Sequence, residues 1–162
     1  VAVALLVLQL LGFGVGFNLA RPTMAPTTNV SEVTRALVVA ALEDASFQVQ
    51  EPQTSYRPGE SPGLVNVPRL LVQAVTPEDP GAGYVVIYEL PSANDADRVG
   101  REFLNYLRGG TGAVQYPRDS QFVLRRVGQT LVFFAWSVEA SPDARVAEAA
   151  AALETVGSPV AP

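Results

Sequence analysis

Hydrophobic and polar positions divide this chain at Arg21. Residues 1–20, VAVALLVLQLLGFGVGFNLA, are apolar almost throughout, and Gln9 is the only polar side chain among the first seventeen. A helix of about 20 residues rising 1.5 Å per residue matches a hydrocarbon core of roughly 30 Å, so a single transmembrane helix is expected there. Thr23-Met24-Ala25 resembles the small-residue pattern of a leader cleavage site, but the run exceeds the apolar centre of a leader, which favours an uncleaved, signal-anchor-like helix. The glycines at 12, 14 and 16 do not form a phosphate loop, because no strand precedes them and no soluble helix follows. Gly12 and Gly16, four apart, share one helical face and are the expected docking line for a neighbouring membrane helix. Residues 21–28, RPTMAPTT, have too little apolar content to pack and read as a linker.

From residue 29 to 157 the pattern alternates between periods near 3.6 and near 2. Asn29 followed by Glu32 has the spacing of a capping box. Val33, Leu37, Val38, Ala41 and Leu42 then form the expected buried face of a helix reaching about Ser46. FQVQE (47–51) alternates like a half-buried strand and leads into PQTSYRPGESPGLVNVP, a proline- and glycine-rich segment that is long for a loop in a compact domain. RLLVQAVT (69–76) and GYVVIYEL (83–90) are rich in β-formers around the breaker PEDPGA. Ser92 is placed to cap a helix whose stripe is Ala96, Val99, Phe103 and Leu107 and whose stop is Gly109. Two further strands, QFVLRRV and TLVFFAWSV, flank the turn Gly128-Gln129, and the second is apolar on both faces, as a central strand is. Ser141-Pro142-Asp143 opens a last helix through Val146, Ala147, Ala150 and Leu153.

The predicted class is α+β: a single N-terminal transmembrane helix, then a small antiparallel-sheet domain of order α-β-β-β-α-β-β-α over residues 29–157, with 158–162 as a flexible tail. Laid on Leu131–Val146, the segment Tyr84–Val99 matches at Val85/Val132, Ala93/Ala140, Arg98/Arg145 and Val99/Val146. A duplicated ββα unit accounts for this match, and so does coincidence between two amphipathic segments.

Composition narrows the chemistry. The 162 residues carry a formal charge of -5 and contain no histidine and no cysteine, and every one of the 11 cationic side chains is arginine. Clustered cations for displacing phosphate counterions are absent, so no nucleic-acid partner is expected. The missing residue types exclude thiolate, imidazole and Schiff-base chemistry. Asp95 and Asp97 sit where a helix macrodipole favours carboxylates, and no acid pair has hydrolase or calcium-loop spacing. An enzyme would have to rest on Glu89, Asp95 or Glu102. Leu107-Arg108-Gly109-Gly110-Thr111-Gly112 closes a helix rather than opening one and reads as a cap followed by a loop. Trp136 with Phe133, Phe134, Tyr84 and Tyr88 reads first as core, and as a ligand pocket second.

These readings identify no catalytic, cofactor-binding or metal-binding residue and no small molecule. They lead to a non-catalytic accessory subunit of a membrane protein complex, with a respiratory or photosynthetic electron-transfer complex as one host. Its partners would be integral membrane subunits and the lipid bilayer, and its domain would stand on the extracytoplasmic side. Within the 52–68 segment, Tyr56, Arg57, Leu64 and Val65 are the expected partner contacts. The alternative is an anchored or secreted ligand-binding module using that segment and the tyrosine-bearing sheet.

Overall fold

Asn29 starts the first helix by accepting the backbone N–H of Ser31 at 3.2 Å, which satisfies one of the amides that a helix start leaves without a partner. Glu32 lies beside Arg35, at 3.5 Å. The computed structural model describes residues 29–161. The expected transmembrane helix over 1–20, with Gly12 and Gly16, and the linker 21–28 lie outside the described residues. Among the described residues no helix is long and apolar enough to cross a membrane.

Helix α1 (Val30–Asp44) ends where Ser46 adopts φ 63. There Phe47 N–H reaches the Leu42 carbonyl and Ser46 N–H that of Glu43, the paired bonds that close a helix through a left-handed residue. The buried face of α1 departs from the expected one. Ser31, Thr34, Val38 and Leu42 face inward, whereas Val33 and Leu37 are 46% and 47% exposed. The helix carries apolar residues on two faces, and the choice between them is made by β5, whose Thr130 hydroxyl lies 2.7 Å from that of Thr34. A buried hydroxyl is tolerated where it finds such a partner.

The remaining elements are β1 (Val49–Gln50), β2 (Arg69–Ala74), β3 (Tyr84–Glu89), α2 (Ala93–Arg108), α3 (Gly110–Ala113), β4 (Gln121–Val127), β5 (Thr130–Trp136), α4 (Arg145–Leu153) and β6 (Ser158–Pro159). The six strands form one antiparallel sheet in the order β1-β2-β3-β5-β4-β6. β5 is central, as its apolar run predicts. Ser92 caps α2 by accepting the Asp95 N–H, the predicted stripe of α2 is the buried one, and Gly109 ends it. Past that glycine the chain makes the short turn of α3 instead of an open loop. Helix α4 begins later than expected: Asp143, not Ser141, receives the amide of Arg145. Ser158 and Pro159, expected in a tail, pair with Arg126 and Arg125 on the sheet edge, and Val160 beyond them is buried.

Alternation along the strands sends side chains to two cores. On one face Val72, Val85, Ile87, Val132 and Phe134 meet Val38 and Leu42 of α1 and Leu153 of α4. On the other, Val86, Tyr88, Leu131 and Phe133 meet Val99, Phe103 and Leu107 of α2, and Leu64 joins them from the 52–68 segment. Helices α2 and α4 therefore lie on opposite faces. A two-fold axis relating the antiparallel neighbours β3 and β5 runs perpendicular to the sheet and preserves its faces, so the two ββα segments are not related by it.

Candidate functional site

The 52–68 segment is a structural cover for the sheet over β2 and β3, where the other face has a helix. Glu60 anchors it. Its side chain is 2% exposed and pairs with Arg69 and, at 2.8 Å, with Arg57, while the Tyr88 hydroxyl donates to it at 3.0 Å. The neighbouring backbone is held twice more. Tyr116 donates its hydroxyl to the Gly59 carbonyl at 2.7 Å, and Glu102 accepts the Gly63 N–H at 3.0 Å. Leu64 is fully buried. Burial pushes the Tyr88 phenol far above its usual value, and the Glu60 charge adds to that; burial raises Tyr116 and Tyr56 as well.

The four residues expected to meet a partner thus have separate positions. Leu64 is in the core, Arg57 bonds Glu60 and the Val65 carbonyl, and Val65 is 41% exposed. Tyr56 stacks on Tyr84 with ring centroids 4.4 Å apart and planes within 8°.

That stacked pair stands at the edge of a notch in the sheet. β3 and β5 pair as far as Val85 and Phe134. Beyond this point Tyr84 continues with Gln73 of β2, and Ala135 and Trp136 continue with Phe122 and Gln121 of β4. The two central strands part, and a cleft of about 190 Å³ opens between them, lined by Tyr56, Tyr84, Tyr116, Phe134, Trp136 and Asp79 among others. Its volume lies below the roughly 300–1,000 Å³ of sites for drug-sized ligands. A ligand of a few heavy atoms fits that space. A larger depression of about 370 Å³ beside the start of α1 is charged, but its Arg35 is already paired with Glu32 and Glu51.

The loops around the notch are fixed by side chains. Gln73, nearly buried, donates to the Pro80 and Ala82 carbonyls at 2.9 Å each. Asp143 accepts the Glu78 N–H at 3.1 Å and ties the same loop to the start of α4. Across the cleft, the Asp119 carboxylate accepts the Ser137 hydroxyl at 2.6 Å and the Glu139 N–H at 3.0 Å. These bonds hold the Asp119 carboxyl below the usual carboxylate range, with Ser137 the largest cause. A cleft whose rim is already ordered spares a ligand the entropy of ordering it.

In the aromatic set of the two central strands, parity separates Phe134 and Trp136 from Phe133 on β5, whereas Tyr84 shares its face with Tyr88 and differs by standing at the first residue of β3. Tyr84, Phe134 and Trp136 reach the notch, whereas Tyr88 and Phe133 lie in the core under α2. Tyr56 and Tyr116 join from distant segments, and only the fold brings them there. The acids considered for catalysis stand apart: Asp95 is in the α2 cap with Arg98, Glu102 accepts the Gly63 amide, and Glu89 ends β3 with no side-chain partner among the described residues. Among the described residues no cluster of three acidic side chains is placed to hold a metal ion. Comparison with protein-family models, curated proteins and solved structures returned no match.

Proposed function

We propose that this chain is a non-catalytic binding module that takes a small ligand in the notch between β3 and β5, and that residues 1–20 anchor it with the domain on the extracytoplasmic side. The observation that carries the reading is the parting of the two central strands into an aromatic cleft with a pre-ordered rim. The cleft lies where β3 begins, one residue beyond its last pair with β5, and combines ring surface with a few polar groups, as small-molecule sites do. The apolar run 1–20 supports the anchor. The absence of imidazole, thiol and lysine supports a non-catalytic role.

The test is a thermal-shift screen of small organic molecules on the full chain in a non-ionic detergent. A ligand at a hundredfold over its Kd stabilises the native state by about 2.7 kcal/mol. Trp136 is the only tryptophan, so its emission reports occupancy of the notch. A library that neither raises the Tm nor shifts that emission removes this reading.

A second reading, an accessory subunit docked in a larger membrane assembly, draws on the exposed Val33 and Leu37 of α1, one turn apart on the helix that follows the apolar run. Gentle solubilisation and purification decide it. A chain that runs alone as a monomer without stoichiometric companions ends the accessory-subunit reading and leaves the ligand reading standing.

A further inference from the structure

Resting on the binding-module reading, we infer that the notch takes a small organic cation of alkylated-ammonium type. Three of the hydroxyls along the cleft are already engaged. The Tyr84 hydroxyl bonds Thr54 at 3.1 Å, the Tyr116 hydroxyl donates to Gly59, and the Ser137 hydroxyl is held by Asp119. What these bonds leave for recognition is the π faces of the rings, the side chain of Asp79, and the Tyr56 and Ser120 hydroxyls and Trp136 indole N–H, which have no hydrogen-bond partner among the described residues.

Asp79 is the one charged side chain lining the cleft. Among the described residues no arginine pairs with it. Arg118 lies in the turn between Pro117 and Ser120 but is exposed and does not line the cleft. Ring faces attract a cation through their quadrupole, and a carboxylate nearby adds a direct charge interaction. A primary ammonium would need acceptors for its three N–H groups. An alkylated ammonium needs none and presents apolar surface to the rings, which matches a cleft of aromatic walls and one acid. The formal charge of -5 raises the local concentration of any cation. Anions are disfavoured by the same charges.

The experiment titrates the full chain, in a maltoside detergent at constant ionic strength, with choline and with its uncharged carbon analogue dimethylbutanol, reading Trp136 emission. Choline is expected to saturate the signal at a concentration about tenfold lower than dimethylbutanol, in line with the strength of cation–π contacts. Asp79→Asn, checked for an unchanged unfolding curve, is expected to weaken choline about fivefold or more and to leave dimethylbutanol unaffected. Equal binding of the two compounds, or no effect of Asp79→Asn on choline, overturns the cation while the binding-module reading survives. Silence of Trp136 towards both compounds and towards every molecule of the thermal-shift screen removes both. Dihexanoylphosphocholine competing as well as choline would assign the cation to a lipid headgroup, and its failure to compete would assign it to a free solute.

Discussion

Glu60 shows how one side chain sets the path of seventeen residues. A carboxylate 2% exposed is stable only with partners, and it has Arg69, Arg57 and the Tyr88 hydroxyl. Glu60→Gln is expected to destabilise the domain by about 2–3 kcal/mol in chemical denaturation. The loss falls below the roughly 3–5 kcal/mol of a fully buried pair because Arg69 and Arg57 keep contact with water. The same change should let Tyr88 ionise at lower pH in an ultraviolet titration, since the Glu60 charge is one of the causes of its raised pKa. Ser61 next to it is the contrasting case. Its hydroxyl is buried and has no hydrogen-bond partner, so Ser61→Ala should leave stability unchanged or increase it by up to about 1 kcal/mol. Neither role is readable from PGESPG, because a buried acid and an exposed one are the same letter until the arginine from β2 arrives.

At the scale of elements, α1 is the informative case. Its apolar residues cover two faces, and periodicity selected Val33 and Leu37, which the fold leaves outside. Leu37→Ser is expected to change unfolding free energy within about 0.5 kcal/mol, as surface substitutions do, and Leu42→Ala to cost about 2–5 kcal/mol. If the two cost the same, the assignment of faces is wrong. The hairpins were legible because turn chemistry is local. Gly128, at φ +57, opens the two-residue turn between β4 and β5 with nothing within 4 Å of an added Cβ; Gly128→Ala should cost about 1 kcal/mol, from backbone conformation alone. Gly83, at φ +79, would place a Cβ 2.0 Å from the Ala74 carbonyl oxygen. Gly83→Ala must therefore move the loop beside the notch, at an expected cost of about 3 kcal/mol or more. It should also blunt any ligand response of Trp136, whereas Gly128→Ala should not.

For the whole molecule, the pH response follows from which groups the fold buries. Tyr56, Tyr88 and Tyr116 have raised pKa values, chiefly through burial. Their unfolded counterparts ionise near pH 10 while the folded ones stay protonated. Stability is therefore intact below about pH 10 and lost as pH rises beyond it. With no lysine present, that alkaline decline belongs to the tyrosines, and Tyr88→Phe should make the fall of Tm above pH 10 shallower. On the acid side the sign reverses. Asp95, bonded by Ser92 and Arg98, and Asp119, bonded by Ser137 and Glu139, have lowered pKa values. Their contributions are present above the unfolded value near 4 and disappear as pH falls through the folded values. Both carboxylates keep contact with water, so this acid effect should be small beside the alkaline one.

By itself, the sequence determined the α+β class, both hairpins, the stripe of α2 and the central place of β5, because strand alternation, glycine turns and caps depend on neighbours within a few residues. It also determined which chemistries are missing, since no fold supplies an imidazole or a thiol that the chain lacks. Only the tertiary structure decided which face of α1 is buried, that residues 52–68 cover the sheet, that Ser158 and Pro159 join its edge, and that α2 and α4 take opposite faces. It alone gathered Tyr56, Asp79, Tyr84, Tyr116 and Trp136 around one notch. Each of these depends on partners far apart in the chain, Thr34 with Thr130, Glu60 with Tyr88, Tyr56 with Tyr84, and a local pattern carries no record of a partner that only folding brings within reach.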